Sequence, residues 1–197
     1  MTNSTHKLFP SGLHTVFVDR DGVVNRKLPE GRYVTTWKEF QILPHVVESI
    51  ARLNGAGLRV VLVSNQRGIA LGLYTEADVR AIHKAFEALL TAAGAHVDGF
   101  YYCPHDHNQC NCRKPLPGLF EQATADLPAI AADSSVMIGD SISDIEFGRN
   151  LGMKTIFVDA DPAHQKPGVE LARQLADISV SSLAEAVEAL LAPSSSR

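Results

Sequence analysis

Five short apolar runs organise this chain: TVFV, RVVLV, GFYYC, SVMI and KTIFV, separated by stretches with helical spacing. A run of four to six apolar residues reads as a strand buried on both faces, and a helix between two such strands returns the chain to a parallel neighbour. PHVVESIARLNGAGL is the first such helix, ending in glycines. TEADVRAIHKAFEALLTAAG is the longest, with Thr75 as N-cap, Asp78 at the third helical position and a stop near Gly94. Further helices are expected from about Gly118 to Leu127, over SDIEFGRNLGM and over LAEAVEALLA. This alternation predicts an α/β fold with a doubly wound parallel sheet and a site at the carboxyl ends of its strands.

With 197 residues and 45% apolar content, the chain suffices for one substantial core. A single domain over 14–192 is expected, with flexible tails at 1–13 and 193–197. A net charge of -4 and a pI near 6.0 supply no general field for nucleic acid or anionic membranes, so a small molecule is the expected partner. No run reaches the roughly 18 apolar residues of a membrane span, and MTNSTHKLFPSG lacks the apolar centre of a secretory signal. A cytoplasmic monomer is expected.

Asp19 and Asp21 stand two apart at a strand end, so their side chains are expected on one side until the chain turns at Gly22. Two carboxylates there can divide two tasks, one attacking phosphorus and the other moving a proton. Their charge repels a phosphate ester, so a cation must stand between, and Asp140 at another strand end completes an oxygen site of the kind magnesium prefers. SNQRG offers the Ser64 hydroxyl and the Asn65 amide to phosphoryl oxygens. RKP offers a compact charge at Lys114 and a bidentate fork at Arg113. Taken singly, each segment also reads as an ordinary polar turn or helix cap.

In order, VDRDGVVN, VSNQRGIA, CRKPLPG and IGDSISD resemble the four motifs of the haloacid dehalogenase (HAD) superfamily of phosphatases, over roughly Val16 to Val158. The resemblance implies a minimal cap, Asp19 as nucleophile, Asp21 as acid and base, and Ser64 and Lys114 as phosphoryl-binding groups. It implies substrate contacts from Asn25, Asn65, Gln66 and Arg113. Magnesium would be held by Asp19, Asp140 and the backbone carbonyl of Asp21, with Asp144 organising the ligands from behind.

Cys103, His105, Cys110 and Cys112 form C-x-H-x4-C-x-C, a complete tetrahedral set for zinc with no position left open for chemistry. The zinc is therefore expected to be structural, holding the loop that leads into Arg113 and Lys114. His107 is an alternative to His105, which the family's C-P-H order favours. Within the superfamily the zinc loop, DRDG, NQ-x-GIA and CRKPxPG resemble the heptose 1,7-bisphosphate 7-phosphatases, with histidinol-phosphate phosphatases as near relatives. LPGLF favours the heptose group, whereas the short zinc loop is closer in length to the histidinol-phosphate group. The segment NRKLPEGRYV adds Arg26, Lys27 and Arg32, either for a second phosphate or as a solvated basic loop. A polynucleotide 3'-phosphatase would need a basic groove, and a non-catalytic phosphosugar-binding module would have no use for both aspartates.

Overall fold

The structure is a computed structural model, and it describes Phe9 and residues 12–29, 31–159 and 167–192. Six strands form one parallel sheet: β1 (Thr15–Val18), β2 (Arg59–Asn65), β3 (Gly99–Cys103), β4 (Ser135–Gly139), β5 (Lys154–Val158) and β6 (Ile178–Val180). Their order is β3-β2-β1-β4-β5-β6, every neighbouring pair parallel. The order reverses between β1 and β4, and the crevice beyond their carboxyl ends is where such sheets bind ligands. The Asp19 amide donates to the Ile138 carbonyl at 2.9 Å and seals the two strands at that point.

Among the described residues six α-helices cover the sheet: α1 (Val46–Gly55), α2 (Glu76–Ala92), α3 (Gly118–Asp126), α4 (Ile142–Leu151), α5 (Val169–Leu175) and α6 (Leu183–Leu191). The two-residue period of the strands sorts the core. Val16, Val18, Leu62 and Ile138 face Ile50 of α1, Phe86 of α2 and Val187 of α6. Phe17, Val61, Val63 and Met137 face the opposite way, onto Leu119 of α3 and Phe147 of α4. Both faces of the central strands are therefore dry, as their unbroken apolar runs require.

The expected helices form at the expected places. Thr75 caps α2, accepting from the Asp78 amide at 3.2 Å while the Asp78 carboxylate accepts from the Thr75 amide at 2.8 Å. The sequence reading had no place for α5 or β6. β6 is a three-residue edge strand without a fully buried position, and α5 spans only seven residues, so neither carries a strong periodic signal.

Several other aromatic and ionisable side chains serve packing or surface pairing. His83 is 7% exposed, lies 4.7 Å from the Phe100 ring, and is pushed down to about 3 by burial and the nearby Arg20 charge. Trp37 stacks on Phe40 at 5.3 Å, and Phe40 meets Phe86 at 5.4 Å. Asp159 pairs with Arg173 at 2.7 Å, while Asp161 lies outside the described residues. Of the segment expected to be loose before residue 14, Phe9 is buried in the core; residues 1–8, 10, 11 and the tail 193–197 lie outside the described residues.

Candidate active site

Asp19 follows β1 directly and meets Lys114, brought in from the loop before α3. Lys114 Nζ donates to Asp19 Oδ1 at 2.7 Å and to the Val63 carbonyl at 2.8 Å, and pairs with Asp144 Oδ1 at 2.6 Å. Carboxylate oxygens of Asp19, Asp140 and Asp144 all lie within 4.8 Å of one another. Burial and the Asp144 and Asp140 charges together outweigh the attraction of Lys114 and push the Asp19 carboxyl up to about 7. Burial disfavours the Lys114 charge, but Asp144 and Asp19 overcome it and hold the amine protonated beyond the ordinary lysine range. Three acids meet the buried Lys114 ammonium and, at Asp140, the Lys27 ammonium, a balance that still leaves room for a further cation.

Local geometry depends on two small features. Gly22 has φ +105°, and a Cβ there would collide with the Asp140 side chain, so the turn after Asp21 admits only glycine beside this carboxylate. Ser141 caps α4, and Asp144 Oδ2 accepts from its amide at 3.1 Å and its hydroxyl at 2.6 Å. Asp144 thus serves both as a capping-box acid and as a partner of Lys114.

Asp21 sits in a different environment from its neighbour, although the strand period places both on one side. Its carboxylate accepts from Arg20 Nε at 3.1 Å and Nη2 at 3.0 Å, from Asn25 at 3.0 Å and from Gln66 at 2.9 Å. Burial works against its ionisation, but the Arg20 guanidinium and these hydrogen bonds hold the carboxyl below its usual range.

Arg20 is 1% exposed and was assigned no role from the sequence alone. The signal for it is the bidentate match between a guanidinium and an adjacent carboxylate, which only burial makes decisive.

Several residues expected to touch substrate also hold the site's own side chains, and of these Asn65 and Gln66 line the cavity as well. Asn25 is fully buried and donates to Asp21 and to the Arg26 carbonyl. Gln66 is 2% exposed; its Nε2 donates to Asp21 and to Ser64 Oγ at 2.5 Å, and its Oε1 accepts from Arg20 at 3.2 Å and Tyr74 at 2.7 Å. Asn65 uses both ends of its amide on the Lys114 backbone, at 3.1 and 3.0 Å. These hydrogen bonds hold Asp21 and the Lys114 backbone in place. Ser64 accepts from Gln66, which leaves its own hydroxyl proton available to donate.

A cavity of about 1040 Å³ opens over this floor, lined by Asp19, Asp21, Arg113 and Lys114. Arg113 Nη1 is buried and has no hydrogen-bond partner among the described residues. From the basic segment, Lys27 and Arg32 line the cavity, whereas Arg26 is exposed away from it. Lys27 Nζ also hydrogen-bonds Asp140 Oδ2.

The cysteine loop closes on itself. Cys103 Sγ lies 3.5 Å from Cys110 Sγ and 3.8 Å from His105 Nδ1; Cys112 Sγ lies 3.2 Å from Cys110 Sγ and 3.3 Å from His105 Nδ1. All three cysteines are free, and these separations far exceed a disulfide bond of about 2.05 Å. With Zn–S near 2.3 Å, the edge of a regular tetrahedron is about 3.8 Å, so three thiols and one imidazole fit such an ion. His107 is not in this group. Arg67 Nε donates to Asp106 Oδ1 at 2.5 Å and ties the loop to the segment after β2.

A carboxylate just beyond a strand end, a buried lysine and two further converging acids at the switch point of a parallel sheet have the layout of a phosphoryl-transfer hydrolase. The HAD-hydrolase-like family model matches residues 111–186. Over 137 residues the chain is 39% identical to the D-glycero-alpha-D-manno-heptose-1,7-bisphosphate 7-phosphatase of Mycobacterium tuberculosis, covering 69% of this chain and 72% of that one. It is 33% identical to the D-glycero-beta-D-manno-heptose-1,7-bisphosphate 7-phosphatase of Photorhabdus laumondii, over 91% of this chain and 96% of that one. A crystal structure of D,D-heptose 1,7-bisphosphate phosphatase from B. bronchiseptica complexed with magnesium and phosphate superposes with a TM-score of 0.73 at 30% identity, covering 91% of this chain and 98% of that one. The chain belongs to the HAD-like hydrolases, in the same family as these phosphatases.

Proposed function

We propose that this enzyme removes the 7-phosphate of D-glycero-D-manno-heptose 1,7-bisphosphate by way of a phosphoryl group carried on Asp19. The observation that carries the reading is the Asp19 carboxylate on the cavity floor, 2.7 Å from a buried Lys114 and beside two further acids. In the first half-reaction an Asp19 oxygen attacks phosphorus, the bond from phosphorus to the sugar oxygen breaks, and that oxygen takes a proton from Asp21. In the second, water attacks the same phosphorus and gives its proton to Asp21, and the bond to Asp19 breaks to release inorganic phosphate. Lys114 and the Ser64 hydroxyl hold the phosphoryl oxygens.

Asp21 is suited to the second half-reaction by its low pKa. The arriving phosphate brings negative charge near it and favours the protonated form that the first half-reaction uses.

The Asp19 and Asp140 carboxylates and the Asp21 carbonyl would hold magnesium, and the excess of acids around Lys114 fits a hard cation. When bound, that ion supplies the positive charge that lets a phosphate ester approach a carboxylate. Zinc on Cys103, His105, Cys110 and Cys112 would fix the loop that carries Arg113 and Lys114. The unpartnered Arg113 nitrogen on the cavity wall suits a second oxyanion of the substrate.

The names of the relatives favour heptose bisphosphate over histidinol phosphate. The net charge of -4 supports a small-molecule substrate over nucleic acid or a membrane surface. Among the described residues no helix is long and apolar enough to cross a membrane. We read the enzyme as a cytoplasmic monomer.

The test is phosphate release from both anomers of heptose 1,7-bisphosphate and from histidinol phosphate, with magnesium and with a chelator. Magnesium-dependent turnover at least tenfold faster on one heptose anomer than on histidinol phosphate is expected. Comparable turnover on all three removes the substrate assignment.

A further inference from the structure

Lys27 stands out because it belongs to neither the phosphoryl-binding floor nor the protein's ordinary surface. It sits on the loop after Asn25, lines the cavity, and pairs with Asp140, 113 positions further along the chain. The Lys27 and Asp140 side chains are only 10% and 9% exposed, so this is not a solvated surface pair. Asp140 is also the acid that completes the three-carboxylate group with Asp19 and Asp144.

The two lysines at this group are held differently. Lys114 is 1% exposed and fixed by Asp19, Asp144 and the Val63 carbonyl, while Asn65 grips its backbone from both ends. Among the described residues the Lys27 ammonium meets Asp140, and its loop runs on through exposed Pro29, Gly31 and Arg32. Lys114 is built to stay. Lys27 can exchange its partner.

We infer that Lys27 is a resident counterion that occupies Asp140 when no divalent cation is bound and moves off it into the cavity when one binds. This rests on the magnesium reading above. A divalent ion against Asp140 would lie within about 4 Å of the ammonium, and repulsion between charges of +2 and +1 at that distance, inside a partly buried site, exceeds what one hydrogen bond returns. The ammonium would leave on the cavity side, where its loop already contributes Arg32 to the wall. The protein would thus keep Asp140 paired before loading, and loading would deliver a cation to the substrate's side.

The test is magnesium binding without substrate, by titration calorimetry, on the wild type, Lys27→Gln and Lys27→Arg. Lys27→Gln removes the competitor, so magnesium should bind about tenfold more tightly, while Lys27→Arg should stay within about twofold of the wild type. Hydrogen exchange of the loop over 26–29 supplies a second readout. Magnesium should accelerate it in the wild type and leave it unchanged in Lys27→Gln, where the tether is already gone. Equal or weaker magnesium binding by Lys27→Gln, or wild-type loop exchange indifferent to magnesium, overturns the inference. If neither wild type nor variant binds magnesium while Asp19-dependent phosphatase activity persists, the magnesium reading itself fails and the counterion role falls with it.

Discussion

Asp19 and Asp21 are separated by one residue, and the protein surrounds them with opposite charge. Around Asp19 two further carboxylates crowd one buried ammonium, and the acid is pushed up to about 7. Around Asp21 a buried guanidinium and two amides converge on a single carboxylate, and the acid is held below its ordinary range. The difference separates their work. The first carboxylate is crowded by like charge, which favours a cation beside it and suits the attacking role proposed for it. The second is matched by one guanidinium and fixed by four hydrogen bonds from three side chains, which suits the proton-transfer role proposed for it.

The largest expected effect is on the first environment. Asp19→Asn should lower turnover by about 10⁴-fold or more, because it removes the attacking oxygen. The same change should raise the melting temperature of the magnesium-free protein by about 5 °C, since it relieves a carboxylate that burial and like charge destabilise. Reduced activity together with reduced stability would mean that Asp19 is a structural acid.

Arg20→Met tests the second environment. It leaves Asp21 and Gln66 without their cation in the interior and should cost about 3–5 kcal/mol in urea unfolding. A loss near zero would remove the case for a preorganised Asp21.

The pH dependence should separate the two acids without changing the substrate. The folded pKa of Asp19 lies above its unfolded value of 3.8, so the folded state binds more protons between pH 4 and 7. Its contribution makes the magnesium-free protein less stable as pH rises through that window. Asp21 has the reverse sign: its stabilisation is present above pH 3.8 and is lost as pH falls through its lower folded pKa. Thermal unfolding in magnesium-free buffer should therefore show a fall in stability from pH 5 to 7.5 that Asp19→Asn flattens and Arg20→Met retains.

The smallest effect concerns the cysteine loop. Arg67→Ala breaks a solvent-screened pair with Asp106 and should leave stability nearly unchanged, with KM raised severalfold and kcat nearly kept. A large fall in kcat would place Arg67 with the reacting groups.

Much of this arrangement was legible from local pattern. β1, β2, β4 and β5 declare themselves as unbroken apolar runs, and Asp19, Lys114 and Asp140 stand directly beyond strand ends or before a helix. The ligand set of the cysteine loop falls within ten positions. What the sequence reading missed depends on partners brought together by the fold. Arg20 gains meaning only from burial beside Gln66, 46 positions away, and Lys27 only from Asp140. Asn25, Asn65 and Gln66 have amide side chains that suit either a ligand or an interior network, and composition cannot choose between them. β6 and α5 are too short to show a period.

The covalent route can be observed directly. Wild-type protein mixed with substrate and magnesium, quenched in acid within the first turnover and reduced with borohydride, should yield homoserine at position 19 in peptide mass spectra, because an acyl phosphate is reduced to that alcohol. Homoserine at another acid, or full phosphate release with no modified residue, would contradict the account.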